Sequence, residues 1–197
     1  MRSSVKASIA ECGFFKSAKS ACPIPTSSPL IRRALVQLAL DPDVISIDFV
    51  GSVMVGDVEV RIDAIVVERD RKLRLDVVEH MEAKDIDEAG LVLVAFDRLA
   101  LPAFTITAAD LGREPRASNA DLVWSCRNVF VGPGDRVRIL QLLTESGPLP
   151  LIEASSAARA CADPIAAVLA MVCDSSLEMD LGRAPVGPET PVRRRPA

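Results

Sequence analysis

Two aspartates, Asp63 and Asp76, are the residues whose spacing points most directly to chemistry. Asp63 lies in a run of alternating residues, 58–67, and Asp76 lies in a second run, 73–79. Alternation at period two predicts strands, and the charged residues 68–71 between the runs predict the turn of a hairpin. If that turn has two or four residues, Asp63 and Asp76 lie directly opposite each other.

A directly opposed pair of aspartates is a candidate cation site. Like charges at opposed positions, with Cβ atoms about 4.5–5.5 Å apart, destabilise a sheet unless a proton, a cation or water separates them. Mg²⁺ takes one or two carboxylates together with phosphate oxygens, so Asp63 and Asp76 are the candidate metal ligands and catalytic acids. The alternative is two solvated aspartates beside neighbouring arginines. A turn that differs by one residue would place Asp63 opposite Leu75 or Val77 instead.

The elements that must position this hairpin predict an α/β (α+β) unit with a small mixed sheet and flanking helices. Apolar residues at helical spacing predict a helix that begins after Ser28 and ends at residues 41–43. Further elements are expected as a short helix over 81–89, a buried strand over 91–96 and a short strand over 105–107.

The second half of the chain predicts a small helical unit. Three short helices followed by a strand are typical of a winged helix-turn-helix. The expected organisation is a disordered or loosely attached arm over 1–28, the α/β unit over 29–112, a winged-helix-like unit over 113–184 and a basic tail over 185–197.

Charge is unevenly distributed, although the net charge is only −4. Residues 1–33 hold six basic residues against one acidic, residues 34–110 hold seven against sixteen, and residues 111–197 hold ten of each. An acidic middle repels a phosphate backbone and basic ends attract it. The candidate DNA-binding residues are therefore arginines of the second half: Arg127, Arg136, Arg138, Arg193, Arg194 and Arg195.

Each of these features also has a simpler interpretation. Arginines on a helix face can serve solvation alone, and the expected recognition helix over 163–173 contains no basic residue. The five cysteines have no zinc-binding spacing, which favours reduced thiols in the cytoplasm. No apolar run approaches the ~18–20 residues of a membrane helix, so no membrane partner is expected.

The order of several short segments resembles the transposon endonuclease TnsA and its relatives, over about residues 29–195. The resemblance implies a restriction-endonuclease-like nuclease fold of the PD-(D/E)XK type followed by a winged helix. It rests on four segments in this order: 40–44, 63–67, 75–79 and 118–124.

The resemblance implies roles for individual residues. Asp63 resembles the metal-binding aspartate of the family, and Asp76 resembles the residue that opens its second motif. The lysine that the family places two positions later is Val78 here, Ile62 replaces the motif proline, and the helix over 30–40 carries no acid. The pattern keeps two carboxylates and loses the rest.

Phosphodiester hydrolysis needs an activated water and a cation that stabilises the charge developing on phosphorus. Valine supplies neither, although Lys72, Lys84 or His80 could substitute, and His80 is the candidate third catalytic residue. The leading hypothesis is a non-cleaving, DNA-associated TnsA-like protein of a mobile element, which binds double-stranded DNA or a transposase-like protein. The alternatives are an active Mg²⁺-dependent endonuclease that uses Asp63 and Asp76, and a winged-helix regulatory or protein-interaction module whose sheet is a surface for a homodimer or for another partner.

Overall fold

A computed structural model describes residues 13–55, 57–78 and 101–196. Within these ranges the chain is a mixed α/β fold with helices, a four-stranded mixed sheet and two smaller sheets, which confirms the predicted class. The helix expected over 81–89 and the strand expected over 91–96 lie outside the described residues. No helix of the described ranges is long and apolar enough to cross a bilayer.

The four-stranded sheet follows the first helix in the chain. Its strands are β3 (Ser46–Val55), β4 (Val58–Glu68), β5 (Lys72–Val78) and β6 (Ala103–Thr107). They are ordered β3-β4-β5-β6, with the first three antiparallel and β6 parallel to β5. Alternation along β5 buries Leu73 and Leu75 and leaves Arg74 and Asp76 on the opposite face.

Helix α1 (Pro29–Ala39) begins where the sequence predicts. The hydroxyl oxygen of Ser28 accepts a hydrogen bond from the Ile31 amide at 3.2 Å, and proline in the first turn has its φ already set for a helix. Leu35 and Leu38 face the core and are almost fully buried. The helix therefore packs one apolar stripe against the rest of the fold.

The part of the expected loose arm that the structure describes is packed. Strands β1 (Gly13–Phe15) and β2 (Ile24–Thr26) form an antiparallel pair. Phe15 and Ile24 are buried, and the Phe15 ring is stacked on Trp124 with centroids 5.3 Å apart. Burial of these apolar side chains holds the segment in place.

The second half contains helices and a three-stranded antiparallel sheet of order β7-β9-β8. In chain order the elements are α2 (Ala108–Leu111), α3 (Arg116–Ser125), α4 (Pro133–Ser146), β7 (Leu149–Pro150), α5 (Leu151–Ser155), α6 (Pro164–Cys173), β8 (Leu177–Met179) and β9 (Pro191–Arg194). Strand β9 falls within the expected basic tail. It is the central strand because it pairs with both β7 and β8, and its Val192 is fully buried.

Two aspartates fix the entry to α6. The Asp163 carboxylate accepts from the Ala166 amide at 3.0 Å and caps the helix. Asp135 is buried, and it accepts from the backbone amides of Arg159 at 2.8 Å and Cys161 at 2.9 Å. The Arg159 amide is the main cause of a lowered pKa for Asp135. These contacts hold the connection between α5 and α6.

A single hydrophobic cluster runs through both halves of the chain. It includes Leu35 and Leu75 of the first half together with Val123, Ile139 and Met171 of the second. The two expected units therefore share one core across the described residues, and α1 packs against α3 at their junction.

Candidate functional site

The β4–β5 hairpin carries both candidate acids in a register that does not oppose them. Glu68 pairs with Lys72, which closes a three-residue turn over residues 69–71. The expected turn had two or four residues. Because one residue of difference shifts every pairing, the expected opposition of Asp63 and Asp76 is wrong.

Asp63 lies at an irregularity of β4. Two residues, Ile62 and Asp63, face the single residue Gly51 of β3, and Asp63 has a φ of +42°, a region that aspartate tolerates better than most residues. Its carboxylate accepts from the Arg61 Nε at 2.6 Å. Both side chains are largely in solvent, with exposed fractions of 82% for Arg61 and 47% for Asp63.

Asp76 is held more tightly by an arginine of its own strand. Its two carboxylate oxygens accept from the Nε of Arg74 at 3.2 Å and from the Nη2 at 2.7 Å. The two side chains are only 17% and 23% exposed. A bidentate arginine satisfies both oxygens of a carboxylate and offsets its charge. Val78, at the position of the family lysine, ends the same strand.

This arrangement does not fit a Mg²⁺ site. Each acid is neutralised by an arginine two positions earlier on its own strand. Asp63 and Asp76 are therefore not arranged as a pair that could bind one metal ion. Nowhere in 13–55, 57–78 or 101–196 do three or more His, Cys, Asp or Glu side chains form a group that could hold a metal ion. His80 and Lys84 lie outside these ranges.

The six candidate DNA-binding arginines all contact groups of their own chain. Arg127 donates to the Trp124 carbonyl, Arg136 to Asp174, Arg138 to Asp135, Arg193 is ion-paired with Glu178, Arg194 donates to Thr144, and Arg195 donates to the Val44 carbonyl. These contacts compete with contacts to a phosphate backbone. Within the described residues, none of the six contacts Asp63 or Asp76.

Helix α6, the expected recognition helix, belongs to the core. Its residues from Ala167 to Cys173 are all buried, and α3 packs against it. A recognition helix must present exposed polar or charged side chains to base edges. Ile165, near the amino end of α6, is 36% exposed and apolar. The helix therefore offers no surface for reading DNA.

The loop between β8 and β9 is bound to α3 by one side chain. Asn119, which is only 3% exposed, donates from Nδ2 to the carbonyls of Leu181 and Ala184, both at 2.8 Å. Its Oδ1 accepts from the Val186 amide at 2.8 Å. All three hydrogen bonds hold the loop against α3, where it forms one wall of a cleft.

The cleft has a volume of about 1270 Å³ and lies between the two halves of the chain. The end of α1, the β4–β5 turn and β6 form one wall, and the β8–β9 loop forms the other. Charged residues of its lining include Asp41, Arg69, Arg116, Glu178 and Arg193. Acidic and basic groups are thus mixed with apolar ones, and Arg69, Arg116 and Arg193 are ion-paired.

Asp41 is the central residue of this cleft wall. Its Oδ2 accepts from Arg69 and from Arg116, each at 2.9 Å, and its Oδ1 accepts from the Asp43 amide at 3.0 Å. The Asp41 side chain is only 9% exposed. One carboxylate therefore joins the end of α1 to the β4–β5 turn and to the start of α3. The sequence predicts that Asp41 lies where a helix ends, but it does not predict these ion pairs.

Lys19 lies behind Asp41. Its ammonium donates to the Asp41 carbonyl, and the residue is 7% exposed. Burial lowers the pKa of Lys19 to about 8, and the neighbouring charge of Arg195 lowers it further, against the opposing effect of Asp41. Arg195 donates to the carbonyls of Pro42 and Val44. Both side chains therefore hold the loop after α1 through its backbone carbonyls.

Comparison with known protein families and with curated proteins finds no match for this chain. The function is therefore argued from the residues and their contacts.

Proposed function

We propose that this protein is a TnsA-like component of a mobile element that has lost nuclease chemistry and acts by binding, chiefly to a protein partner. A transposase-like protein is the partner that the resemblance favours. The single observation that carries the proposal is the ion pairing of both candidate acids with arginines of their own strand.

The order of elements supports the architecture that the resemblance implies. A four-stranded mixed sheet with flanking helices comes first. The second half runs helix α4, strand β7, helices α5 and α6, and strands β8 and β9, with β9 between β7 and β8. This order is compatible with a winged helix-turn-helix.

The chemistry of the hairpin supports the loss of cleavage. A metal at Asp76 would have to displace Arg74 from both carboxylate oxygens. Displacement would break a bidentate ion pair whose two side chains are only 17% and 23% exposed, which is costly. Val78 offers neither the proton nor the positive charge that hydrolysis requires.

Protein binding is favoured over DNA binding because the surfaces that a winged helix uses on DNA are engaged within the chain. Helix α6 is buried and carries no base. The β8–β9 loop is held by Asn119, and the candidate arginines contact carboxylates, carbonyls or a hydroxyl of the same chain. Non-specific DNA affinity depends on free cations.

A nicking assay tests the loss of cleavage. Purified protein is incubated with supercoiled plasmid and Mg²⁺ or Mn²⁺, and the expected result is no nicking above a protein-free control. The variants Asp63→Ala and Asp76→Ala are compared with Asp57→Ala, an exposed aspartate in the β3–β4 turn. Nicking that disappears in Asp63→Ala or Asp76→Ala but persists in Asp57→Ala would establish an active endonuclease and overturn the proposal.

Gel retardation and co-purification test the mode of binding. We expect weak retardation of double-stranded DNA that is insensitive to Arg194→Ala, and co-purification with a transposase-like protein expressed together with this chain. Tight retardation whose affinity falls steeply with salt would show that DNA is the main partner instead.

A further inference from the structure

Two cysteines lie together where α3 packs on α6. Cys126 follows the last residue of α3, and Cys173 is the last residue of α6. The Val123 carbonyl accepts from the Cys126 amide at 3.0 Å and from the Cys173 thiol at 3.1 Å. The Cys126 thiol lies 3.9 Å from the preceding carbonyl, that of Leu122. Both thiols therefore lie at the carboxyl end of α3, next to the carbonyls of two consecutive residues.

We propose that Cys126 and Cys173 form a reversible disulfide that locks α3 onto α6. A disulfide needs Cα atoms within about 7 Å. The shared acceptor keeps the Cys126 nitrogen and the Cys173 sulfur within about 6 Å of each other. Formation of the disulfide requires both thiol side chains to rotate towards each other at this helix end. This inference is independent of the proposed function.

The different exposure of the two thiols sets the order of reaction. Cys126 is partly exposed, whereas Cys173 is buried and burial raises its pKa to about 12. The Cys126 thiolate attacks a small disulfide such as oxidised glutathione, forms a mixed disulfide and releases one glutathione thiolate. Cys173 then loses its proton to water, and its sulfur attacks the Cys126 sulfur and expels the second glutathione thiolate. Two protein thiols are oxidised and one glutathione disulfide is reduced.

The lock would act on the cleft through α3. Asn119 lies on this helix and holds the β8–β9 loop, which forms a cleft wall. Arg116 at the start of α3 binds Asp41 on the opposite wall. A covalent bond between α3 and α6 would fix both walls relative to the core, so the oxidised protein would have a more rigid cleft.

Peptide mapping after oxidation tests the proposal. The whole chain is equilibrated with oxidised glutathione, free thiols are blocked, and tryptic peptides are analysed by mass spectrometry. We expect a peptide linked through Cys126 and Cys173 that is absent after treatment with a reductant. Cys126→Ser is the test variant, because its position is less buried than that of Cys173, and Cys161→Ser, also partly exposed, is the matched control.

The thermal unfolding midpoint gives a second measurement on the same samples. Oxidation is expected to raise it for the wild type and for Cys161→Ser, and to leave Cys126→Ser unchanged, since closing a loop destabilises mainly the unfolded chain. The proposal is overturned if Cys126 stops at the glutathione adduct, if it links to another cysteine, or if the oxidised midpoint rises equally in Cys126→Ser.

Discussion

Replacement of Asp41 by alanine should destabilise the protein far more than any other single aspartate of the α1–β3 loop. The carboxylate is 9% exposed and accepts three hydrogen bonds, two of them from Arg69 and Arg116. Alanine would leave both guanidinium groups without their counter-ion beside the core. Such losses cost about 3–5 kcal/mol for fully buried pairs. Because the Arg116 side chain is 40% exposed, we expect about 3 kcal/mol here.

The measurement is urea and thermal unfolding followed by circular dichroism. For a chain of 197 residues, about 3 kcal/mol corresponds to a fall of roughly 6–12 °C in the unfolding midpoint. Asp43→Ala is the matched control, because this exposed side chain lies two residues away and its change should stay within about 0.5 kcal/mol.

A double-mutant cycle separates the ion pair from other effects of the substitution. Asp41→Ala should cost less in an Arg69→Ala background, since one of the two stranded charges is then absent. Equal stability of Asp41→Ala and Asp43→Ala, or a cost of Asp41→Ala that is the same in both backgrounds, would refute the reasoning about this carboxylate.

Three further predictions concern pH and local exchange. The lowered pKa of Lys19 means that between pH 8 and 10.5 the unfolded chain binds a proton that the folded chain does not. The free energy of unfolding should therefore rise with pH over this range by about 2 kcal/mol, after allowance for solvent screening. Lys19→Met should flatten this rise in urea titrations. Because the pKa of Asp135 is lowered in the folded protein, its carboxylate stabilises the fold at pH values above its unfolded pKa, and this stabilisation is lost as pH falls. Asp135→Asn should therefore unfold at a lower temperature than wild type at neutral pH, and the two midpoints should converge in acid. A difference that stays constant with pH would contradict this. Asn119→Ala should speed hydrogen exchange of the Val186 amide by about tenfold, with the Ile31 amide, which donates to Ser28 outside this loop, as the unchanged reference.

Local patterns in the sequence predict several of the helices and strands. Helix α1 follows from Ser28, Pro29 and apolar residues at helical spacing, and each of these acts within a few residues of the helix. Strands β4 and β5 follow from alternation, and β8 from a short alternating run. These elements can be predicted from the sequence because capping, proline geometry and side-chain periodicity depend only on neighbouring residues.

The candidate acids show where such patterns stop being informative. Alternation places Asp63 and Asp76 on strands, but their pairing depends on whether the turn has two, three or four residues. The charged residues 68–71 are compatible with each length, because turn geometry is decided by φ, ψ and the packing of the strands. The irregularity at Asp63 adds a second shift that alternation does not reveal.

Taken alone, the sequence determined the α/β class, the position of the hairpin and the absence of a base from α6. Only the tertiary structure decided what the charged residues do. Asp41 meets Arg69 and Arg116 from 28 and 75 residues away, and Arg195 reaches Val44 across 151 residues. Strand β9 pairs with β7 and β8 rather than extending as a tail. The physical reason is that an ion pair depends on distance in space, which burial of the shared core sets only when the whole chain has folded.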